Sequence, residues 1–566
     1  MLNAKNLLEF EYFPVELPES FSSKDIVNNY DIILGQIKAT NYKSSVPYLF
    51  TVYKSENARR RMAIPNIYHY MKLVQLLIEN DSEIENVYAK SKYSLTKPAE
   101  DQVNNEKRAF NRISNNPNDT RKRNEQQLQD KSISIKLDIS NFFDSIYTHS
   151  VVWAIHTKKI AKGKRDDSLW GNKIDKALQG LNDLQTHGLL VGNAASRLIA
   201  EIILCSIDEK IEKEFPNISM TRFVDDYSFY IKGGATQEYS VNKIVSFVRT
   251  QLLEYDLQLN EAKTKIVEAP FILGLNGLDE LKSVVLVDPY NYYNRMLFIY
   301  NNYKDSALIK YGLKVLSYKI NEENLHSIYP LLLNLWVRFP SLANYILPII
   351  YNNRESLSAN NKKELKKVLS TILLNTLSYK QENEAVWAIW SMVVLKLKVT
   401  KDILEEINNS NNDLAKIIVF TYLSTENYSY YKTELGKLEN YLIQATEESV
   451  EVLTGVKKNS NIDNYILTSH WLLMYELIVK RISNNKTIIS YIENNSFFRK
   501  LKQLNVDFYH QEIDIETKEK KGNYKEKEYF SSVLKSILDN KDNDIIVDKE
   551  MKKLDRLINQ SSDWNY

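Results

Sequence analysis

Met220-Thr221-Arg222-Phe223-Val224-Asp225-Asp226-Tyr227-Ser228-Phe229-Tyr230-Ile231 sets two adjacent carboxylates between two runs rich in β-branched and aromatic residues. Met220 to Val224 and Tyr227 to Ile231 read as short strands, with the acidic pair at the tip of the hairpin that joins them. Side chains alternate along a strand, so only a sharp turn brings Asp225 and Asp226 toward one point. A turn that gathers negative charge suits a hard divalent cation, which takes carboxylate oxygens and leaves coordination positions open. Aspartate is also common in ordinary turns. The tetrapeptide Phe223 to Asp226 therefore takes its meaning from the residues around it.

Upstream, Lys131-Ser132-Ile133-Ser134-Ile135-Lys136-Leu137-Asp138 alternates strictly, with Ile133, Ile135 and Leu137 on one face and Ser132, Ser134, Lys136 and Asp138 on the other. This is a half-buried strand that ends in a carboxylate on its polar side. Asp138, Asp225 and Asp226 together offer ligands for two Mg²⁺ ions, with Mn²⁺ as the substitute. Such a pair activates an attacking hydroxyl and stabilises a leaving phosphate oxygen, so the set fits nucleotidyl transfer.

Between the two segments, Thr186 to Arg197 carries Gly188 and Gly192 ahead of a helix whose apolar positions are Ala195, Leu198, Ile199, Ile202, Ile203, Ile207 and Ile211. Asn193 is placed to cap it. The glycines would let backbone approach a template strand or an incoming nucleotide closely. After the hairpin, an amphipathic pattern from Val241 to Leu253 leads into Leu257 to Lys265. Lys263 there is positioned to protonate a departing pyrophosphate or to screen its charge, although a lone lysine is more often solvated surface. Near the N-terminus, Arg59-Arg60-Arg61 precedes the extended segment Ile64-Pro65. Guanidinium forks match phosphate oxygens, so triphosphate contacts are expected here. A patch that grips backbone phosphates without specificity is the alternative.

The chain has 566 residues, enough for two or more domains. Its 74 lysines and arginines nearly balance 72 acidic residues, leaving a net charge of +2. Any basic surface must therefore be local, as at Lys54 to Arg61 or across Lys107, Arg108, Arg112 and Arg121-Lys122-Arg123. The single cysteine, Cys205, excludes a disulfide scaffold and a cysteine-based metal site. No segment has the pattern of a signal peptide or a membrane span, so a cytoplasmic protein with no membrane partner is expected.

Residues 1–275 mix strand-like and helix-like patterns, whereas 290–566 are almost wholly helical. Glu268 to Pro289, with its prolines and glycines, reads as a connector. Downstream, apolar helices such as Ile328 to Trp336, Leu365 to Leu377 and Leu414 to Tyr422 alternate with polar turns. This suggests stacked helical pairs of the HEAT or armadillo sort, with an irregular bundle as the alternative. Glu516 to Lys527 reads as a charged loop. The expected class is α+β, an N-terminal mixed domain followed by an all-α repeat domain.

In chain order, the R-x-x-x-I-P segment that begins at Arg60, the strand ending in Asp138-Ile139 with Phe142-Phe143-Asp144-Ser145-Ile146, the Gly188 to Ser196 helix start, Phe223-Val224-Asp225-Asp226, and Leu259-Asn260 with Lys263-Thr264 resemble the blocks of reverse transcriptases. Asn57-Ala58-Arg59-Arg60, Tyr147-Thr148-His149-Ser150, Thr186-His187-Gly188 and Arg222 to Asp226 are similar to the abortive-infection reverse transcriptases of bacterial phage defence. The resemblance implies right-hand fingers and a ferredoxin-like palm, followed by helical repeats. It also implies metal ligation by Asp138, Asp225 and Asp226, triphosphate contact by Arg60, and a steric gate at Phe143 that favours dNTPs over ribonucleotides. Gly192 would lie at the nucleotide.

The same resemblance implies DNA synthesis without a conventional primer, at times without a template. A tyrosine hydroxyl would start the chain, so that the DNA product is attached covalently, and the enzyme would be a homo-oligomer. Tyr30, Tyr42 and Tyr53 are N-terminal candidates, and no priming tyrosine is singled out. The sequence departs from the broader pattern at Leu190-Val191, which replace Pro-Gln, and at Phe223, which replaces tyrosine. Two other readings stay open: a retron-like enzyme copying a non-coding RNA, and a non-catalytic helical scaffold that binds RNA or protein. His149 is expected to be a satisfied structural histidine.

Overall fold

The computed structural model describes residues 2–55, 58–98, 130–233, 239–268, 277–426, 430–454, 462–512, 523–539, 547 and 549–554. The basic run around Lys107 to Arg123, together with Asn57, lies outside the described residues. No helix among the described residues is long and apolar enough to cross a membrane.

An antiparallel hairpin, β1 (Tyr48–Ser55) and β2 (Ala58–Ile64), sets Val52 opposite Arg60. Its inner end is apolar: Tyr48, Phe50, Met62 and Ile64 are all buried. The helix α1 (Ile67–Glu79) follows Pro65 and is capped by Asn66, whose side chain accepts from the Tyr68 N–H.

The second sheet has four antiparallel strands, β3 (Ile133–Leu137), β4 (Ser219–Phe223), β5 (Asp226–Ile231) and β6 (Lys265–Glu268), in the order β4-β5-β3-β6. The helices α2 (Ala194–Glu214) and α3 (Val241–Glu254) are the crossovers, which makes a β-α-β-β-α-β unit. Strand alternation decides what each face carries. Ile135 pairs with Phe229 and Leu137 with Tyr227, and all four are buried in one core with Leu198, Ile199, Ile202 and Ile203 of α2. Each fully buried aliphatic side chain contributes about 1.5–3 kcal/mol. Lys136 pairs with Ser228 on the opposite, polar face. Ser134 shares that face but is fully buried, unlike the solvated position its pattern suggests, because it lines a cleft that Tyr230 walls. Asn193 caps α2 as expected: its Oδ1 accepts from the Ser196 N–H at 3.0 Å and its Nδ2 donates to the Leu190 carbonyl at 2.8 Å.

The helices that follow Pro289 include α4 (Pro289–Tyr303), α5 (Ser306–Lys319), α6 (Glu322–Arg338), α7 (Ala343–Asn352), α8 (Ala359–Ser378), α9 (Glu382–Val394), α10 (Lys401–Asn409), α11 (Asp413–Thr425), α12 (Tyr431–Thr454), α13 (Trp471–Val479) and α14 (Lys486–Asn494). Alternate helices touch: α5, α7, α9, α11 and α13 form one succession, and α4, α6, α8, α10, α12 and α14 the other. The connector is partly helical, over Gly277–Ser283, with 269–276 outside the described residues. The charged stretch at Glu516 to Lys527 is a loop at most in part. Residues 523–527 open the helix Asn523–Asp539, whose apolar residues Phe530, Val533 and Ile537 are buried, and 516–522 lie outside the described residues.

The N-terminal segment crosses back onto this helical region. Trp387 Nε1 donates to the Glu16 carbonyl at 2.7 Å, and Trp390 Nε1 donates to Ser20 Oγ at 2.9 Å. The His510 N–H donates to the Ser20 carbonyl at 2.8 Å, and the rings of Phe21 and Tyr509 lie 5.1 Å apart. The change in sequence texture near residue 280 thus marks a change of secondary structure, while the packing core runs across it.

Candidate active site

Phe223 pairs with Asp226, so the tight turn consists of Val224 and Asp225. The turn therefore begins one residue earlier than the acidic pair suggests, and Asp226 is the first residue of β5. Val224 has φ 49°, a left-handed conformation rare for a β-branched residue, which stores strain of about 1–3 kcal/mol.

Register brings in the third carboxylate. Leu137 is the last residue of β3 to pair, opposite Tyr227, so Asp138 continues the polar face alongside Asp226. The Asn260 N–H donates to the Asp138 carbonyl at 2.8 Å and fixes the strand end. Asn260 also begins the short turn Glu261–Lys263, which returns the Lys263 ammonium to Asp138 Oδ2 at 2.9 Å.

Asp225 and Asp226 feel the neighbouring carboxylates. Burial pushes the Asp226 carboxyl up to about 6, aided by the charges of Asp225 and Asp138. Burial also raises Asp225, with the Asp138 charge acting in the same direction and Lys263 and Arg60 opposing it. The hydrogen bond to Asp138 raises Lys263 in turn. Among the described residues, no three His, Cys, Asp or Glu side chains converge as a ready-made metal cage. The donor chemistry nevertheless suits a hard divalent cation: three oxygen-bearing groups in mutual repulsion, with an ammonium already drawn to one of them.

A cleft of about 420 Å³ opens beside these residues on the polar face of the sheet. Lys136, Ser228, Tyr230 and Lys265 line it with Asp138, Asp226 and Lys263. Sequence reading passed over the first four as functional candidates. The signal was present in the alternation, since Lys136 shares a face with Asp138, and Ser228 and Tyr230 share one with Asp226.

The three arginines separate into different roles. Arg59 turns to the helical region, where its Nη1 and Nη2 donate to Glu384 at 3.1 and 2.6 Å and its Nε donates to Thr51 Oγ1 at 2.8 Å. Arg61 Nη2 meets Asp144 Oδ1 at 3.0 Å. Arg60 has no ion-pair partner among the described residues, and its charge reaches Asp225. It also reaches Lys310 of α5, whose ammonium burial drives down from its ordinary value.

Phe143 is half-buried, 5.2 Å from the Phe142 ring, and its carbonyl accepts from the Leu189 N–H at 2.8 Å. Gly188, at φ 87°, passes close to the Asp144 backbone. Gly192, at φ 116°, faces protein on its open side: a Cβ there would lie 2.6 Å from Pro14 and 3.1 Å from Met62. The packing of the N-terminal segment against the β1–β2 hairpin thus accounts for this glycine. His149 is satisfied through Nδ1 by the Asp175 carboxylate. Of the three N-terminal tyrosines, Tyr42 shares a hydrogen bond with Ser496 Oγ at 3.2 Å, Tyr30 is half-buried, and Tyr53 lies on β1.

Residues 54–284 match the family model described as Reverse transcriptase (RNA-dependent DNA polymerase). This part of the chain, which holds Asp138, Asp225, Asp226 and Lys263, is a reverse-transcriptase domain. The class it defines is a reverse-transcriptase-like nucleotidyl-transferring polymerase. No curated protein matches the chain. Among solved structures, apo telomerase from Candida tropicalis is similar with 12% identity over 67% of this chain and 71% of that one, at a TM-score of 0.29. Telomerase from Candida albicans with a fragment of telomeric RNA gives 11% identity over 66% and 71%, at 0.26. A structure titled RdRp complex gives 10% identity over 88% of this chain and 48% of that one, at 0.29. A Candida tropicalis telomerase lacking its C-terminal domain is matched over 52% of its length, so the chain spans about half of it. At TM-scores this low the likenesses carry no argument about function.

Proposed function

We propose that this protein is a Mg²⁺-dependent DNA polymerase of reverse-transcriptase type, acting in abortive infection against phage. The observation that carries the polymerase reading is that Asp138, Asp226 and Lys263 line one cleft on the polar face of the sheet, with Asp225 next to Asp226 and within reach of the Asp138 and Lys263 charges. Asp138, Asp225 and Asp226 would hold two Mg²⁺ ions, or Mn²⁺ in their place, which supply activation of the attacking hydroxyl and charge neutralisation at the phosphates. The attacking oxygen bonds to the α-phosphorus of a dNTP, the bond to the bridging oxygen breaks, and pyrophosphate leaves. Arg60 aligns the triphosphate, Lys263 protonates or screens the leaving group, and Phe143 excludes the ribose 2′-hydroxyl. Gly192 acts at the nucleotide only through the segment packed against it.

The defence role, synthesis from a tyrosine hydroxyl, a covalently attached product and homo-oligomeric assembly are carried over from the resemblance to abortive-infection reverse transcriptases. In this reading residues 1–275 are fingers and palm and 290–566 a HEAT-like helical domain, which the alternate stacking of α4 to α14 supports.

Purified protein incubated with Mg²⁺ and labelled dNTPs tests the polymerase reading. Incorporation above that of the Asp225→Ala/Asp226→Ala double variant is expected, and none above it overturns the reading. Sequencing the nucleic acid that copurifies tests the template. Random or homopolymeric DNA supports untemplated synthesis, and one discrete cDNA supports copying of a dedicated RNA.

A further inference from the structure

Beneath the strained turn lies a buried ionic network that the proposed chemistry does not itself use. Arg222, in β4, is fully buried. Its Nε donates to Asp208 at 2.9 Å, its Nη2 to Glu201 at 2.8 Å and to Cys205 Sγ at 3.6 Å, and its Nη1 to Glu201 at 3.2 Å and to the Val224 carbonyl at 3.0 Å, while Nη2 also lies 2.8 Å from Asp208 as an ion pair. Three of its N–H groups thus hold the carboxylates, one meets the Cys205 sulfur and one is committed to the turn. On the other side of the same residue, the Val224 N–H donates to Thr96 Oγ1 at 3.3 Å, and Thr96 Oγ1 donates to Glu201 at 3.1 Å. Both peptide groups flanking the left-handed Val224 are therefore anchored in one network.

The anchors do not depend on the hairpin alone. Glu201 and Asp208 project from α2, and Thr96 belongs to a segment that pairs with β4, where the Leu95 N–H donates to the Arg222 carbonyl at 2.8 Å and the Arg222 N–H donates to the Tyr93 carbonyl at 3.0 Å. Ser91 Oγ donates to Asp208 at 2.6 Å at the far end, away from the turn. A β-branched residue released from such restraints would leave the left-handed region, and rotation about its ψ would swing the Asp225 carboxylate.

We infer that Arg222 and Thr96 are positioning residues that hold Val224 in its strained conformation and thereby set the direction of Asp225 for cation binding. Lysine cannot replace Arg222, since an ammonium has three donors and no planar fork. This inference rests on the reading that Asp225 binds the catalytic cation, so its test must separate the two.

Two quantities are measured on the full-length protein: the Mg²⁺ concentration giving half-maximal dNTP incorporation, and the binding of Mn²⁺ by electron paramagnetic resonance without nucleotide. Thr96→Val keeps the shape and removes the hydroxyl. It is expected to weaken cation affinity about 10- to 100-fold, the range for groups that support metal-ligating side chains. Thr96→Ser, which keeps the hydroxyl, restores it. Ser91→Ala removes a contact of the same network that does not touch the turn, and is expected to lower the melting temperature with cation affinity unchanged. Arg222→Lys, if it folds, behaves as Thr96→Val. Equal cation affinity in the wild type, Thr96→Val and Ser91→Ala overturns the inference while leaving the polymerase reading intact. A wild type that neither binds Mn²⁺ nor incorporates dNTPs overturns both.

Discussion

The Lys263 ammonium donates to Asp138 Oδ2 at 2.9 Å, across 125 residues of chain. It neutralises one of three crowded carboxylates, and in the proposed reaction it protonates or screens the leaving phosphate. Replacement of Lys263 by Met should lower the turnover of dNTP incorporation about 10²-fold, the lower end of general acid contributions, while Lys263→Arg retains more activity. Single-turnover incorporation at saturating Mg²⁺ measures this, and equal rates in Lys263→Met and the wild type would show the lysine to be only a neutralising counter-ion.

Asp226 predicts a pH-dependent stability in the absence of divalent cation. Its carboxyl is raised to about 6 by burial and then by Asp225 and Asp138, so its ionisation disfavours the folded state. The cost is absent below the ordinary aspartate value near 4, grows as pH rises toward 6, and is fully present above that. Asp226→Asn should therefore stabilise the protein at pH 8 and make no difference at about pH 4. Part of the side chain also stays in solvent, and screening limits the gain to about 1 kcal/mol. Thermal melts in EDTA at the two pH values provide the check.

Arg59 and Arg60 are adjacent in sequence and should fail differently. Arg59 donates to Glu384, which is 3% exposed, so Arg59→Ala leaves a buried carboxylate unpaired and should destabilise the protein by about 2–4 kcal/mol. Arg60→Ala should leave the melting temperature nearly unchanged and raise the KM for dNTP about tenfold, the loss expected for one charge-assisted phosphate contact. Denaturant melts and steady-state kinetics on the two variants separate the roles. A raised KM in Arg59→Ala at full stability would reverse the assignment.

Phe143→Ala should admit ribonucleotides. A ring removed from beside the sugar erases a steric discrimination of about 10- to 100-fold. Competition between a dNTP and the matching ribonucleotide reads the ratio, and an unchanged ratio places the gate elsewhere.

The polymerase half was legible because its evidence is periodic or local. The strict alternation before Asp138 gives a strand with a carboxylate on its polar face, and the apolar spacing after Asn193 gives a capped, buried helix. The exact turn was less legible: aromatic and β-branched residues mark strands, but nothing local signals that Val224 adopts a left-handed φ in place of an aspartate. That conformation is affordable only because Thr96 and Arg222 hold both sides of it.

By itself the sequence determined the order of the three aspartates, the strands and helix that carry them, and the helical texture of the second half, since each follows from side-chain periods of two or 3.6 residues. The tertiary structure alone decided which charges meet. Lys263 reaches Asp138, Arg59 reaches Glu384 across 325 residues, and Arg222 gathers Glu201 and Asp208 under the turn. No local period encodes a partner hundreds of residues away. The choice among three neighbouring arginines is made by which acid the folded backbone brings within reach, and the same physical selection leaves Arg60 near enough for its charge to act on Asp225.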